Sequence, residues 1–195
     1  DLIGFDACLM ATYEAAAHMQ YYADFMVASE ELEPSLGWNY AWLNALGENP
    51  ALDAQGIGVA IADAYMEACL GENPDDYLSM SVLYLPAMDY LVSTMETYAS
   101  YLSQALDAGQ LSTFSRARQR MYAFGDFDSA TSDMVDMMAL IDGTRTIAPQ
   151  TADVLQTAYE RVVHYNVGTR KFDYLTGMSV YFPSGSYEGD GCQET

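Results

Sequence analysis

The stretch Leu2-Ile3-Gly4-Phe5-Asp6-Ala7-Cys8-Leu9-Met10 decides how the rest of the chain is interpreted, because an apolar strand pattern here carries an acid and a thiol. Side chains alternate along an extended segment, so Asp6 and Cys8 are predicted to point the same way while the apolar residues pack inside. Residues 9–22 have a helical pattern, and a helix N-terminus beside Cys8 would favour its thiolate. Cys8 is therefore a candidate nucleophile. The alternative, a buried core cysteine at a strand end, stays open at this point.

The composition is typical of a globular protein with a strongly acidic surface. The 195 residues are 51% hydrophobic, which is enough for the core of one domain. Seven Lys and Arg against 28 Asp and Glu give a formal net charge of −21, which repels nucleic acid and anionic lipid and attracts basic peptides. No apolar stretch reaches the roughly 18 residues that a membrane helix needs. We expect a single domain over residues 1–195 with a flexible tail from about 184, and neither a nucleic-acid nor a membrane partner.

The order of predicted elements indicates an α/β protein. Short apolar runs at 25–29, 78–85 and 177–183 are typical of strands, and segments of helical periodicity lie between them. The predicted helices cover 9–22, 38–46, 52–70, 86–109, 111–121, a capped helix that begins near Asp133 and Asp136, and 149–164. Strands separated by helices predict an α/β sandwich with a mainly parallel sheet, whose functional groups gather at the carboxyl ends of strands. Cys8, Ser29 and Glu30 are expected at such ends.

A cysteine peptidase also needs a histidine, and neither histidine of the chain fits that role. His18 lies ten residues after Cys8 on the same predicted helix, which at a rise of 1.5 Å per residue is roughly 15 Å away. His164 falls near the end of the predicted 149–164 helix, where an imidazolium suits the helix dipole. Motifs of serine hydrolases, phosphate loops, dinucleotide folds and zinc sites do not occur. A nucleophilic Cys8 would therefore need a histidine from polypeptide outside this chain.

Two further features are assigned no chemistry. The acidic segment 125–133 has Thr131 where a calcium loop needs Gly and Met137 where it needs Glu, so no metal site is predicted. Three cysteines permit one disulfide at most. Cys69 is expected in the core and Cys192 in a polar tail, so no disulfide framework is inferred.

Several blocks of the sequence together resemble the clostripain family of cysteine peptidases. The blocks are Phe5-Asp6-Ala7-Cys8-Leu9-Met10-Ala11, Val27-Ala28-Ser29-Glu30-Glu31, Gly37-Trp38, Asp133-Met134-Val135-Asp136 and Gly177-Met178-Ser179-Val180-Tyr181-Phe182-Pro183. The resemblance implies the caspase-like α/β/α fold and a Cys-His dyad at neighbouring strand ends. It matches Cys8 to the nucleophile, whose backbone N–H would form part of the oxyanion hole, and Asp6 to the acid associated with Arg or Lys at P1. Ser29, Glu30 and Glu31 match the strand end and loop that border this S1 pocket.

The resemblance also implies what this chain lacks. The family's histidine stands in a His-Gly pair before the cysteine, and no His-Gly pair occurs here. Members of the family are made as precursors and cut into light and heavy chains, so the histidine and the first strands of the sheet are expected in an upstream light-chain segment. A partial or trimmed polypeptide is favoured over a mature heavy chain, and this chain alone is expected to be inactive. The family includes calcium-dependent members, but no residue here is assigned to calcium.

Two functions follow as expectations from the resemblance and the charge. The first is a secreted or cell-surface, bacterial-type endopeptidase that acts on peptides and proteins with Arg, or also Lys, at P1. The alternative is a catalytically inactive caspase-like domain that binds basic partners through its acidic surface.

Overall fold

Two β-sheets organise the part of the chain that the computed structural model describes, which is residues 1–74, 77–125, 133–169 and 175–183. The strands are β1 (Leu2–Gly4), β2 (Phe25–Ala28), β3 (Ser79–Tyr84), β4 (Met134–Asp136), β5 (Val163–Gly168) and β6 (Ser179–Tyr181). The central sheet has the order β1-β2-β3-β5, and β4 pairs with β6 in a small antiparallel sheet. β1 and β2 are parallel, whereas β3 is antiparallel to both β2 and β5. Three of the four central strands therefore share one direction, and the sheet is mixed.

Helices cover both faces of the central sheet. They are α1 (Tyr13–Met19), α2 (Trp42–Glu48), α3 (Ala54–Glu72), α4 (Met88–Asp107), α5 (Leu111–Arg118), α6 (Met137–Thr144) and α7 (Pro149–Val162), and a 3-10 turn at Leu85–Ala87 precedes α4. α3 packs on one face, while α1, α4 and α7 pack on the other. The layers confirm the predicted α/β sandwich. No helix of the described ranges combines the length and apolar character needed to cross a bilayer.

The alternation of side chains along the strands explains why both faces are covered. Val27 of β2 packs with Ile61 and Tyr65 of α3, whereas its neighbour Met26 packs with Leu91 of α4 on the opposite face. A strand that is apolar on both faces must be buried on both. Helical layers on each side of the sheet are the result.

The cysteines outside the β1–α1 connection fit their predicted roles where the structure describes them. Cys69 is a thiol of α3, 3% exposed in the core, as predicted. Cys192, the predicted tail from 184 and residues 126–132 of the acidic segment lie outside the described residues. The extent of the single domain stays a prediction.

The first predicted helix begins later than expected. The pattern predicted a helix over 9–22, but α1 begins at Tyr13 because the Thr12 hydroxyl accepts a hydrogen bond from the Ala15 N–H at 2.9 Å and caps it. Cys8 therefore lies in the connection between β1 and α1, and its predicted place beside a helix N-terminus is wrong.

Three other predicted helices also differ from the observed elements. The segment predicted to begin a helix at Asp133 forms β4, and Asp136 caps α6 by accepting from the Ala139 N–H at 2.9 Å. The predicted 149–164 helix ends at Val162, and His164 lies in β5, a strand that the pattern did not predict. Likewise, the helix predicted from Trp38 begins at Trp42.

Candidate active site at the end of β1

Cys8 lies in an exposed turn beyond the carboxyl ends of β1 and β2. Backbone hydrogen bonds hold the turn on both sides. The Leu9 N–H donates to the Glu31 carbonyl at 3.2 Å, and the Ala11 N–H donates to the Ser29 carbonyl at 2.8 Å. The main chain after β2 thus positions the cysteine. It lies at the carboxyl ends of the strands, where the sequence predicted functional groups.

Leu9 gives this turn an unusual backbone. Its φ of 60° makes it the one non-glycine residue with positive φ among the described residues. A left-handed conformation costs an L-residue about 1–2 kcal/mol. Packing of Leu9 against Phe124 and Leu175 holds the conformation in place. Strain of this kind clusters at functional sites, and here it directly follows the candidate nucleophile.

The loop after β2 lies against the cysteine turn and brings four residues together. The Glu33 N–H donates to the Cys8 Sγ at 3.2 Å, and the Cys8 thiol donates to the Glu33 carbonyl at 3.8 Å. Asp6 accepts the Trp38 backbone N–H at 3.1 and 3.2 Å, and Glu33 accepts the Trp38 indole N–H at 3.1 Å. We call Asp6, Cys8, Glu33 and Trp38 the cysteine cluster. Asp6 and Cys8 thus contact one loop, although both lie after the end of β1, where the predicted strand alternation no longer applies.

Two glycines allow this close approach. A Cβ on Gly4 would lie 2.8 Å from Cη2 of Trp38, so the indole ring rests on the end of β1. Gly37 has a φ of 68°, and a Cβ there would lie 3.1 Å from both carboxylate oxygens of Asp6. Glycine suits position 37 because it adopts positive φ readily and has no side chain that would crowd the Asp6 carboxylate.

Ser29, Glu30 and Glu31 occupy a different environment from the predicted pocket border, because all three side chains are buried. Ser29 Oγ lies 3.0 Å from the Ser79 Oγ and donates to the Glu31 carbonyl at 2.9 Å. Glu31 accepts the Tyr122 hydroxyl at 2.9 Å. These side chains face into the fold and hold the end of β2. In this structure they support the cysteine turn from within.

Glu30 and Asp136 form a buried pair of acids. Glu30 Oε2 accepts the Gly177 N–H at 2.9 Å, and Asp136 Oδ2 accepts the N–H and the hydroxyl of Thr176 at 2.7 Å each. Burial, and after it the charge of Asp136, raises the pKa of Glu30 well above its usual value, and burial also raises the pKa of Asp136. Glu30 is thus favoured in its protonated form. The pair ties the end of β2 to the segment before β6.

Neither histidine reaches Cys8. His18 is in the last turn of α1, which returns from the cysteine turn to the start of β2. His164 contacts the ring of Phe25, the first residue of β2, with ring centroids 6.1 Å apart. Both lie near the end of the sheet where β1 and β2 begin, whereas Cys8 lies beyond the end where these strands finish. Sheet topology, and not a continuous helix from residue 9, thus places both histidines away from Cys8, and that neither pairs with Cys8 stays a prediction.

Glu33 and Trp38 are site residues that the sequence did not single out. Glu33 stands in the same acidic run as Glu30 and Glu31, after the strand predicted at 25–29, and loops at strand ends commonly carry specificity residues. The sequence cannot tell which of its acids turns inward. The structure buries Glu30 and Glu31 and brings Glu33 to the cysteine.

The described residues offer no metal centre. Calcium takes about 6–8 oxygen ligands, and no group of three or more His, Cys, Asp or Glu side chains in the described ranges could hold a metal ion. We therefore derive no step through calcium.

Comparisons with known proteins place the fold and the sequence in context. The model of the clostripain family, peptidase C11, matches residues 1–187. An inactive zymogen of a C11 protease from Parabacteroides distasonis is 17% identical with a TM-score of 0.69, over 95% of this chain and 53% of that one. A secreted C11 cysteine protease from Bacteroides thetaiotaomicron, solved with an irreversible peptide inhibitor, is 17% identical with a TM-score of 0.65, over 96% and 53%. A B. fragilis cysteine protease is 17% identical with a TM-score of 0.60, over 94% and 78%.

These structural matches show a shared fold. The chain spans about half the length of two of these solved relatives, 53% in each case. No match to a curated protein sequence was found.

Proposed function

Because the chain belongs to the clostripain family of cysteine peptidases, we propose that it is the cysteine-bearing part of an endopeptidase that cleaves after Arg, and also after Lys. One observation carries the proposal. Cys8 is exposed in a constrained turn at the ends of two parallel strands, and the exposed carboxylate of Asp6 contacts the same loop. The proposed nucleophile and the proposed cation-binding acid thus contact one loop.

The proposed reaction forms and then hydrolyses a thioester. The Cys8 thiolate attacks the carbonyl carbon of the scissile bond, a histidine protonates the leaving amine, and water releases the acyl group and restores the thiol. The Cys8 N–H has no hydrogen-bond acceptor within the described ranges, so it is available to stabilise the oxyanion.

The histidine is proposed to come from an upstream light-chain segment. β1 is an edge strand of the central sheet as described, and an open edge can pair with a further strand. A strand added there in parallel would end beside Cys8. This placement supports a dyad whose two members lie on neighbouring strand ends.

Asp6 is proposed to bind the P1 side chain. A carboxylate makes paired, charge-assisted hydrogen bonds with a guanidinium and a weaker point contact with an ammonium. Ser29, Glu30 and Glu31 are proposed to act on this S1 pocket indirectly, since their buried side chains hold the strand end beneath it. The Bacteroides thetaiotaomicron relative is described as secreted, and we propose secretion, with zymogen processing, for this protein also.

The function is tested by labelling the full-length protein with a peptide that ends in arginine and carries a thiol-reactive ketone. We expect one covalent adduct, located by mass spectrometry on the fragment that contains Cys8. The matching peptide with citrulline in place of arginine, which lacks the positive charge, should label far more slowly. An adduct on Cys69 alone, or no adduct, would contradict the proposal.

The Asp6→Asn variant tests the choice of substrate. We expect kcat/KM for arginyl peptides to fall about 100-fold, because the charge-assisted pair is lost, while kcat/KM for citrulline peptides stays nearly constant. Asparagine can still accept the Trp38 N–H, so the melting temperature should not change. Asp107→Asn, an exposed acid at the end of α4, is the control. Equal losses on both substrates would argue against a pocket role.

The alternative of an inactive domain that binds basic partners is supported by the net charge of −21. It predicts that Cys8 in the full-length protein stays unlabelled by the arginyl ketone while basic peptides still bind.

A further inference from the structure

Glu33 is a titratable group in the cysteine cluster to which the proposed reaction gives no role. Its backbone N–H and carbonyl contact the Cys8 Sγ, and its carboxylate reaches the indole of Trp38. Trp38 in turn donates its backbone N–H to Asp6. One residue therefore connects the nucleophile to the acid that is proposed to select the substrate.

The carboxylate of Glu33 is only partly satisfied. Its Oε2 accepts the Trp38 indole N–H, whereas its Oε1 is buried and has no hydrogen-bond partner among the described residues. Burial, and after it the charge of Asp6, raises the pKa of Glu33 to about 7, and the indole hydrogen bond opposes this rise. Glu33 is thus roughly half protonated at neutral pH when no cation is near.

No positive group of the described structure compensates these two acids. The ion pairs of the described residues involve neither Asp6 nor Glu33. From α3, the titratable groups on the far side of Trp38 are Cys69 and Glu72, which line the hollow behind the ring. The titratable groups that approach Glu33 from the cysteine turn are Asp6 and Cys8. Within the described ranges Glu33 therefore has no ion-pair partner, and a cation that enters beside Asp6 would supply a positive charge.

We propose that Glu33 is a second acid of the P1 site, a positioning residue that ionises as a cationic side chain binds beside Asp6 and adds its charge to the pocket. This inference rests on the proposed function, since it concerns the same pocket. Trp38 donates its backbone N–H to Asp6 and its indole N–H to Glu33 and so fixes the distance between the two acids. Glu33 therefore acts through the field it adds and needs no contact with the substrate.

The coupling has a definite sign. A cation near Asp6 offsets the repulsion between the two acids, so it favours the ionised form of Glu33 and releases a proton. Below pH 7 this proton must first be removed, and above pH 7 Glu33 is already ionised. Preference for arginine should therefore rise with pH around neutrality, independently of the ionisation of the thiol.

The first test compares kcat/KM for matched arginyl and citrulline peptides in the full-length enzyme at pH 6 and pH 8. Ionisation of the Cys-His pair affects both peptides equally and cancels in their ratio. We expect the ratio to rise about tenfold in the unaltered protein. In Glu33→Gln it should be independent of pH and, at pH 8, about tenfold lower.

A matched control separates this role from net charge and from folding. Glu96→Gln removes one exposed acid from α4, on the opposite face of the sheet from α3, and should retain the pH-dependent ratio. If Glu33 only supports the loop, Glu33→Gln will lower kcat/KM for both peptides by the same factor, and the ratio of the two values will keep its pH dependence. That result would overturn the inference.

The second test needs no catalysis. Agmatine, which carries a guanidinium, is titrated calorimetrically into the full-length Cys8→Ala protein in two buffers of different ionisation enthalpy. With a pKa of about 7 for Glu33, roughly half a proton should be released per agmatine bound to Cys8→Ala at pH 7. The double variant that carries both Cys8→Ala and Glu33→Gln should release none. No binding, or binding without proton release, overturns the inference. If agmatine binding to Cys8→Ala releases the proton but the unaltered full-length protein cleaves no peptide, the role of Glu33 is supported and the proposed peptidase function is rejected.

Discussion

Replacing Cys8 by alanine should lower kcat/KM of the full-length protein on arginyl peptides by at least about 10⁴-fold, because no thioester can form without the thiol. The side chain is exposed, so the free energy of unfolding should change by less than about 0.5 kcal/mol. Initial rates on reporter peptides and thermal unfolding of the same preparations measure both quantities.

The control for this variant is the other cysteine of the described residues. Cys69 is buried in α3, so Cys69→Ala should cost about 1 kcal/mol through lost packing and leave kcat/KM nearly constant. Hydrolysis that survives Cys8→Ala, or that disappears in Cys69→Ala while the protein stays folded, would place the nucleophile elsewhere.

The second large effect is expected at Glu30, whose side chain is fully buried. Glu30→Ala leaves the Gly177 N–H without its acceptor and opens a cavity, so it should lower the free energy of unfolding by about 3 kcal/mol. Glu30→Gln keeps the size and the acceptor and should cost less than about 1 kcal/mol at pH 7. Urea-induced unfolding of the three proteins makes the comparison.

The pH dependence of Glu30→Gln gives a sharper test. Burial and the charge of Asp136 raise the pKa of Glu30 in the folded state above that in the unfolded state. The folded state therefore binds the proton more tightly, and the stability contributed by the protonated Glu30 is complete below the unfolded pKa and is lost as pH rises through the folded pKa. Glu30→Gln lacks this loss, so its stability relative to the unaltered protein should increase with pH from 5 to 9. Parallel profiles would show that Glu30 is ionised in the folded protein.

The class of fold and the place of the cysteine could be predicted from the sequence because both depend on local patterns. Alternating apolar residues near Met26 and Val82 require two covered faces, and the acid and thiol after β1 stand where parallel strands end. The start of α1 was missed because a cap decides it. Thr12 stops the helix from extending back to Cys8, although the apolar periodicity continues.

Non-local contacts explain the remaining differences. β4 is a strand because it pairs with β6, and β5 is a strand because it pairs with β3. Both partners are distant in sequence, so neither pairing can be seen in a short window. The same limit applies to Glu30, Glu31 and Glu33, which look equivalent in sequence. Their burial depends on Gly177, Tyr122 and Trp38, which other parts of the chain bring to them.

The contact between Gly4 and the ring of Trp38 makes a small uncharged residue a determinant of pocket geometry. Trp38 donates to both Asp6 and Glu33, and its ring has room only because residue 4 carries no side chain. The spacing of the two acids is therefore set by the volume at a position that bonds to neither. In the proposed pocket, a side chain at position 4 would displace the Trp38 ring and with it the spacing of Asp6 and Glu33, so enzyme engineering could vary selectivity there without altering the charge of the pocket.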